Sequence, residues 1–193
     1  MQVKNRIYVI EHLEPELWPW CLIEYKHISK IVGKKNLWFT NIKEKDRKKL
    51  VGLGKVFLES VRDMGLSNSC ILDPEADETL SPSNSSKYDY FIFGGILGDY
   101  PPKKRTKDEL SKFLPDVKRF DIGKEQMSTD NAVYTVKMIL SGRKLGELKF
   151  QDNVEIKIDK IQSTQLPYRY NLVKGKALIS KELIRFIKNK DKI

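Results

Sequence analysis

An α/β fold built on a largely parallel sheet is the architecture this sequence predicts, and three observations predict it. Short apolar runs at Arg6 to Ile10, Leu37 to Thr40, Ser69 to Leu72 and Tyr90 to Phe93 are separated by stretches of helical period. The most apolar of them, Tyr90 to Phe93, has the composition of a strand covered on both faces and stops abruptly at Gly94 and Gly95. Only beyond Gly142 does the pattern change. There Val154, Ile156 and Ile158 alternate with Glu155 and Lys157, marking a half-exposed strand of a small antiparallel appendage.

Each element has a local reason. Arg6 to Ile10 (RIYVI) is a buried strand, and Glu11 and His12 fall at its carboxyl end, where open α/β sheets bind ligands. Pro19 suits a first helical turn, and Cys21, Tyr25, Ile28 and Val32 follow at spacings of four, three and four before Gly33 stops the helix. Trp18 and Trp20 are expected to pack against the sheet. After the strand Leu37 to Thr40, residues Glu44 to Met64 are predicted as one helix, with Leu50, Leu53, Phe57 and Val61 inward and Gly65 as its stop. Ser69 to Leu72 is closed by Asp73-Pro74, a carboxylate just beyond a strand. Glu75 to Lys87, rich in Ser, Pro and acids, is a loop.

Beyond the central strand, Thr106 and Glu109 have capping-box spacing and predict a helix from Lys107 to about Leu114. Val117 to Ile122 is a further strand. Ser128 or Thr129 caps the next helix, whose buried face carries Val133, Val136 and Leu140. Gln162 to Lys176 is loop or edge structure, and Ser180 is placed to cap a terminal helix with Leu183, Ile184 and Ile187 inward.

With 193 residues, 40% of them hydrophobic, the chain suffices for one main domain. Residues 1–145 form that domain and 146–193 its basic appendage. No apolar stretch approaches membrane-spanning length, and Glu11 and His12 interrupt what a signal peptide would continue, so a cytoplasmic protein without membrane contact is expected. Cys21 and Cys70 lack a paired spacing and are expected as reduced core thiols. With His12 and His27 as the only histidines, no metal site is expected. The net charge of +10 is uneven, with thirteen Lys or Arg against six Asp or Glu over residues 142–193. Such a field suits RNA, ribosomes or other polyanions, although a solvated lysine-rich surface gives the same balance.

The stretch Tyr88 to Arg105 (YDYFIFGGILGDYPPKKR) organises the rest. Glycine at 94, 95 and 98 removes the side chains that would keep a ligand off the main chain. Asp99 offers a carboxylate, and Lys103, Lys104 and Arg105 offer cations behind Pro101-Pro102. The spacing GGILG is not the G-x-G-x-x-G of a dinucleotide fingerprint, and a tight turn leaving a core strand explains the same glycines. A helix starting at Ser128 or Thr129 presents free amides that favour an anion.

Read together, IEHLE, FTNI, CILDPEA, YFIFGGILGDYPPKKRT and QMSTDNAV, in this order, closely resemble a family of SPOUT-type methyltransferases over about residues 6–145. That family occurs in archaea and eukaryotes and was first predicted to methylate RNA; its eukaryotic member methylates an arginine of a small-subunit ribosomal protein. The resemblance implies an α/β fold whose carboxyl-terminal half is tied in a deep trefoil knot, which ordinary topology rules would reject. It implies S-adenosylmethionine bent among three loops: Leu72, Asp73 and Pro74; Phe93 to Gly98 (Phe93, Gly94, Gly95, Ile96, Leu97, Gly98) with Asp99; and Gln126, Met127, Ser128, Thr129 and Ala132. No substrate contacts carry over into the tail.

Methyl transfer from a sulfonium is an in-line displacement, so the protein supplies position, exclusion of water and acceptor activation. An arginine acceptor, with its pKa above 12, calls for carboxylates that orient it and help its proton leave, and Glu11 and Asp99 are the candidates. An RNA acceptor would instead use Arg105, Lys103 and the basic tail on phosphates. Arginine methylation of a ribosomal protein is the first expectation, an rRNA or tRNA methyltransferase the second, and a catalytically silent RNA- or ribosome-binding module the third.

Overall fold

The computed structural model describes residues 6–190; the outer ends of the two sequence segments, 1–5 and 191–193, lie outside the described residues. The chain runs through β1 (Ile7–His12), α1 (Pro19–Val32), β2 (Leu37–Thr40), α2 (Glu44–Leu50), β3 (Lys55–Val56), β4 (Ser69–Leu72), α3 (Pro82–Ser85) and β5 (Tyr90–Gly95). It continues with α4 (Arg105–Glu109), β6 (Lys118–Phe120), α5 (Thr129–Leu140), β7 (Phe150–Lys157), β8 (Ser163–Val173), β9 (Lys176–Ala177) and α6 (Lys181–Lys190). Six strands form one sheet in the order β3-β2-β1-β5-β4-β6, with every pairing parallel. A separate antiparallel sheet joins β7, β8 and β9.

Strand alternation sorts the core. Tyr8 and Ile10 of β1 face a layer with Tyr25 and Ile28 of α1 and Val133 and Val136 of α5. Ile7 and Val9 face the opposite layer, with Val61, Ile71, Ile92 and Leu110. A third cluster joins Ile23 of α1 to Val154, Leu166, Tyr170, Leu183 and Ile187, so α1 is clamped between the large sheet and the antiparallel one. The predicted α1 stripe of Cys21, Tyr25, Ile28 and Val32 is buried throughout, and Cys21 and Cys70 are free, buried thiols. Burial pushes the Cys21 thiol up to about 12. Among the described residues no helix is long and apolar enough to cross a membrane.

Four predicted elements come out differently. The helix expected over Glu44 to Met64 ends at Leu50, because two glycines intervene. Gly52 takes φ +88°, and a Cβ at Gly54 would stand 2.6 Å from the Leu37 carbonyl oxygen, so the chain turns there and adds β3 beside β2. The Ser-rich loop holds a short helix, α3, whose Ser81 and Asn84 form a reciprocal capping box. The Thr106–Glu109 box does not form, since Glu109 turns instead to Arg105. The segment from Gln162 becomes the eleven-residue β8. Its Pro167, which has no amide to donate, falls where the register with β7 shifts between Asp152 and Val154, beside Asn153 at φ +56°.

Candidate active site

Parallel strands place all their carboxyl ends on one edge of the sheet, and the principal cleft opens there. Leu72 ends β4, Phe93 and Gly94 lie in β5, and Ile122 and Gly123 follow β6; opposite them stand Met127, Thr129 and Ala132 at the start of α5. The cleft encloses about 750 Å³, part of it open to solvent. Pro74, Ile96, Leu97, Gly98, Asp99, Lys103, Arg105 and Gln126 complete its predicted lining. Thus the three loops expected to act together do converge.

Carboxylates hold this edge in shape. Glu14 Oε1 accepts the Leu97 amide at 2.9 Å and Arg105 Nη1 at 2.7 Å. Arg105 also grips Glu109 through Nε (2.6 Å) and Nη2 (3.2 Å), so its guanidinium is a strut of the loop and not a free phosphate ligand. Two acids beside it raise its pKa further, with Glu109 the stronger influence. Lys103 remains exposed and reaches Asp99 Oδ1 at 3.3 Å. Asp99 Oδ2 is buried with no hydrogen-bond partner, Arg105 Nε standing 3.9 Å away.

At Gly98 the loop passes close to two other segments. A Cβ there would lie 2.5 Å from both Gln126 Nε2 and Tyr168 Cε1. Tyr168 Oη donates to the Gly98 carbonyl (2.9 Å), and Gln126 Nε2 to that of Asp99 (3.2 Å). The Arg169 amide in turn donates to the Gln126 carbonyl (2.8 Å), tying the loop before α5 to the antiparallel sheet.

Four predicted residues lie elsewhere. Glu11 shares the face of Ile7 and Val9, away from the cleft, and is wholly buried. It accepts Thr40 Oγ1 and Ser60 Oγ at 2.5 Å and the Val61 amide at 3.1 Å, so its oxygens are committed to the fold. Gly95 faces the core: a Cβ would meet Tyr25 Oη at 2.3 Å and the Glu11 carbonyl oxygen at 3.0 Å. Asp73 is buried, accepting Ser111 Oγ (2.6 Å) and the Glu75 amide (2.9 Å). Ser128 is the N-cap residue of α5, but its hydroxyl donates to Asp130 (2.6 Å) and lines a neighbouring hollow. Sequence reasoning missed Thr106, Ile122, Gly123 and Glu125 in the lining and Glu14 behind it; the strand-end rule would have found Ile122 and Gly123. Trp18 is largely exposed, and Trp20 packs edge-on against Phe186 of α6 with ring centroids 6.3 Å apart, so neither lies on the large sheet.

A family model, Protein arginine N-methyltransferase SFM1-like, matches residues 7–192. The chain belongs to this family. Membership runs through the basic segment that the motifs of 6–145 left out. Protein arginine N-methyltransferase SFM1 of Saccharomyces cerevisiae is 35% identical, over 94% of this chain and 93% of its own. The crystal structure of the yeast SFM1 complexed with SAM superposes with TM-score 0.89 at 33% identity, covering 98% of this chain and 92% of the other. The complex with SAH gives 0.86 at 34% identity, with 94% of each chain covered. Likeness of fold alone reaches a dual-specific Trm10 from Thermococcus kodakaraensis, with TM-score 0.61 at 18% identity over 74% of this chain and 96% of that one.

Proposed function

We propose that the protein transfers a methyl group from S-adenosylmethionine to an arginine of a ribosomal protein. What supports the donor is the cleft itself. Apolar walls at Leu72, Phe93, Ile122, Met127 and Ala132 suit a purine, and Gly94 and Gly98 line the cleft without side chains that would hold a ligand off. Family relatives complexed with SAM and SAH support it independently. When bound, the donor supplies a methyl group on a positively charged sulfur, which keeps the bonding pair after transfer. The acceptor nitrogen must lose a proton as its new bond forms, and Asp99 Oδ2, buried and without a hydrogen-bond partner, is the oxygen in this cleft placed to receive it. Asp99 therefore keeps the role expected of it, and Glu11 gives up its own to the fold.

That oxygen, free of hydrogen bonds, carries the choice of a cationic acceptor over RNA. Arg105, the cation expected on a phosphate, is engaged by Glu14 and Glu109. In this reading the protein works in the cytoplasm, beside ribosomal subunits whose polyanionic field its +10 charge would seek. The trefoil knot belongs to the same reading. It is supported by the order β5-β4-β6, which brings the three loops side by side. Titration of the protein with S-adenosylmethionine, for wild type and Asp99→Asn, followed by single-turnover transfer to RNA-free ribosomal proteins, tests the assignment. Asn should leave donor affinity within a few-fold and slow transfer by about 100-fold or more. Transfer at the wild-type rate would remove Asp99 from the chemistry.

A further inference from the structure

Next to the donor cleft, sharing the loop Ile96 to Gly98 with it, lies a second hollow lined by Trp20, Glu24, Ser128 and Tyr168. Ile96, Leu97 and Gly98 are walls of both spaces. Glu24 is 5% exposed, and no salt bridge reaches it among the described residues. Its neighbours are two donor residues and an acid: Trp20 Nε1 donates to Oε1 at 2.8 Å, Thr129 hydrogen-bonds to it, and Asp130 stands beside it. Asp130 is itself taken by His27 Nδ1 (2.6 Å) and Ser128 Oγ (2.6 Å). A buried carboxylate beside another acid and without a cation costs stability unless a proton or a guest neutralises it.

The hollow's chemistry specifies the guest. One anion and two aromatic rings, Trp20 and Tyr168, favour a flat cation with apolar faces, which is a guanidinium more than an ammonium. Both rings are fixed, Trp20 by its bond to Glu24 and its edge contact with Phe186, Tyr168 by its bond to the Gly98 carbonyl. Tyr168 links the hollow to Asp99: burial raises its hydroxyl's pKa most, followed by Glu24 and Asp99. We propose that the hollow of Trp20, Glu24 and Tyr168 receives the acceptor's guanidinium, with Glu24 as its charge partner and specificity-determining residue. The inference rests on the reading of the reaction as arginine methylation.

Because burial, followed by Asp130, pushes the Glu24 carboxyl up to about 8, the empty hollow holds it mainly protonated at neutral pH. The groups facing it are Trp20, Cys21 and Tyr25 of α1, Thr129 and Asp130 of α5, and Tyr168 and Tyr170 of β8, with no cation among them. A guanidinium must then expel that proton, so acceptor binding tightens with rising pH until Glu24 is ionised on its own.

Initial rates with methyl-labelled donor and RNA-free small-subunit ribosomal proteins test this, with S-adenosylhomocysteine affinity by calorimetry as the control. For the wild type, KM for the acceptor should fall about ten-fold between pH 7 and pH 9. Glu24→Gln should raise KM at least about ten-fold and flatten that profile, with kcat changed less and donor affinity kept. The wild-type pH profile needs no variant and stands even if Glu24→Gln folds poorly. Arginine labelling with a KM indifferent to both pH and Glu24→Gln overturns the subsite and leaves the arginine reaction standing. Label found in RNA added as a competing acceptor, with none in arginine, overturns both.

Discussion

Glu14 and Arg105 stand 91 positions apart in sequence and meet at 2.7 Å. Through Oε1, which also takes the Leu97 amide, Glu14 fastens the glycine loop to the end of β1 from outside the cleft. The pair is largely sheltered, with 9% and 22% of the side chains exposed, so solvent screens it incompletely. Charge-assisted hydrogen bonds of this kind contribute roughly 1.5–3 kcal/mol. Glu14→Gln should therefore loosen the loop and weaken S-adenosylhomocysteine binding by about 10- to 100-fold in calorimetry. Unchanged affinity would show that the loop holds its shape without the strut.

Glu11 behaves oppositely. Its carboxylate satisfies Thr40, Ser60 and the Val61 amide in a layer that the cleft does not reach. Glu11→Ala leaves two buried donors and the half-buried Ser60 hydroxyl without their acceptor and should lower stability by about 3 kcal/mol in urea unfolding. Donor affinity of the folded fraction should be that of the wild type. A variant with full stability and lost binding would return Glu11 to the site.

Gly95 and Gly98 separate packing from binding. Gly95→Ala drives a methyl into Tyr25 Oη and the β1 backbone, and overpacking of this kind costs about 1–3 kcal/mol, read as a lower Tm. Gly98→Ala displaces Gln126 and Tyr168 on an exposed loop, so Tm should hold while donor affinity and turnover fall. The reverse pattern would exchange the two roles.

Glu24 also writes itself into stability. Its folded pKa of about 8 lies above the ordinary carboxyl value, so over the range between them the folded chain binds more protons than the unfolded one. Stability from this group is full below about 4.5 and is lost as pH rises through about 8. Between pH 5 and pH 8.5 the difference in Tm between Glu24→Gln and wild type should shift in favour of the variant. A difference constant over that range would place the Glu24 pKa near its ordinary value.

The sheet was legible because its strands carry their own signal: the aromatic run to Phe93 could only be buried, and the residues after it had to stand at the sheet's carboxyl edge. The family's motifs then located most of the cleft lining. What failed turns on side-chain direction and partners, which a strand end does not reveal. Glu11 is one residue out of phase with the cleft, and period two sends it to the opposite layer; Gly95 shares the face of Phe93 but is packed against Tyr25 of the core. Gly52 and Gly54 were visible inside the over-long helix, but the second matters through its contact with Leu37, which only the fold supplies. Glu24 gave no signal at all. On an amphipathic helix it reads as a polar position until β7, β8 and α6 cover it.

The most direct test of the central claim is the chemical identity of the methylated product. Ribosomal proteins and ribosomal RNA are incubated together with the enzyme and methyl-labelled donor, then separated, and each fraction is hydrolysed to amino acids or nucleosides. The label should migrate with an ω-N-methylated arginine from the protein fraction and should be lost from it in Asp99→Asn at early times. Label recovered in a methylated nucleoside, with none in methylarginine, would contradict the account.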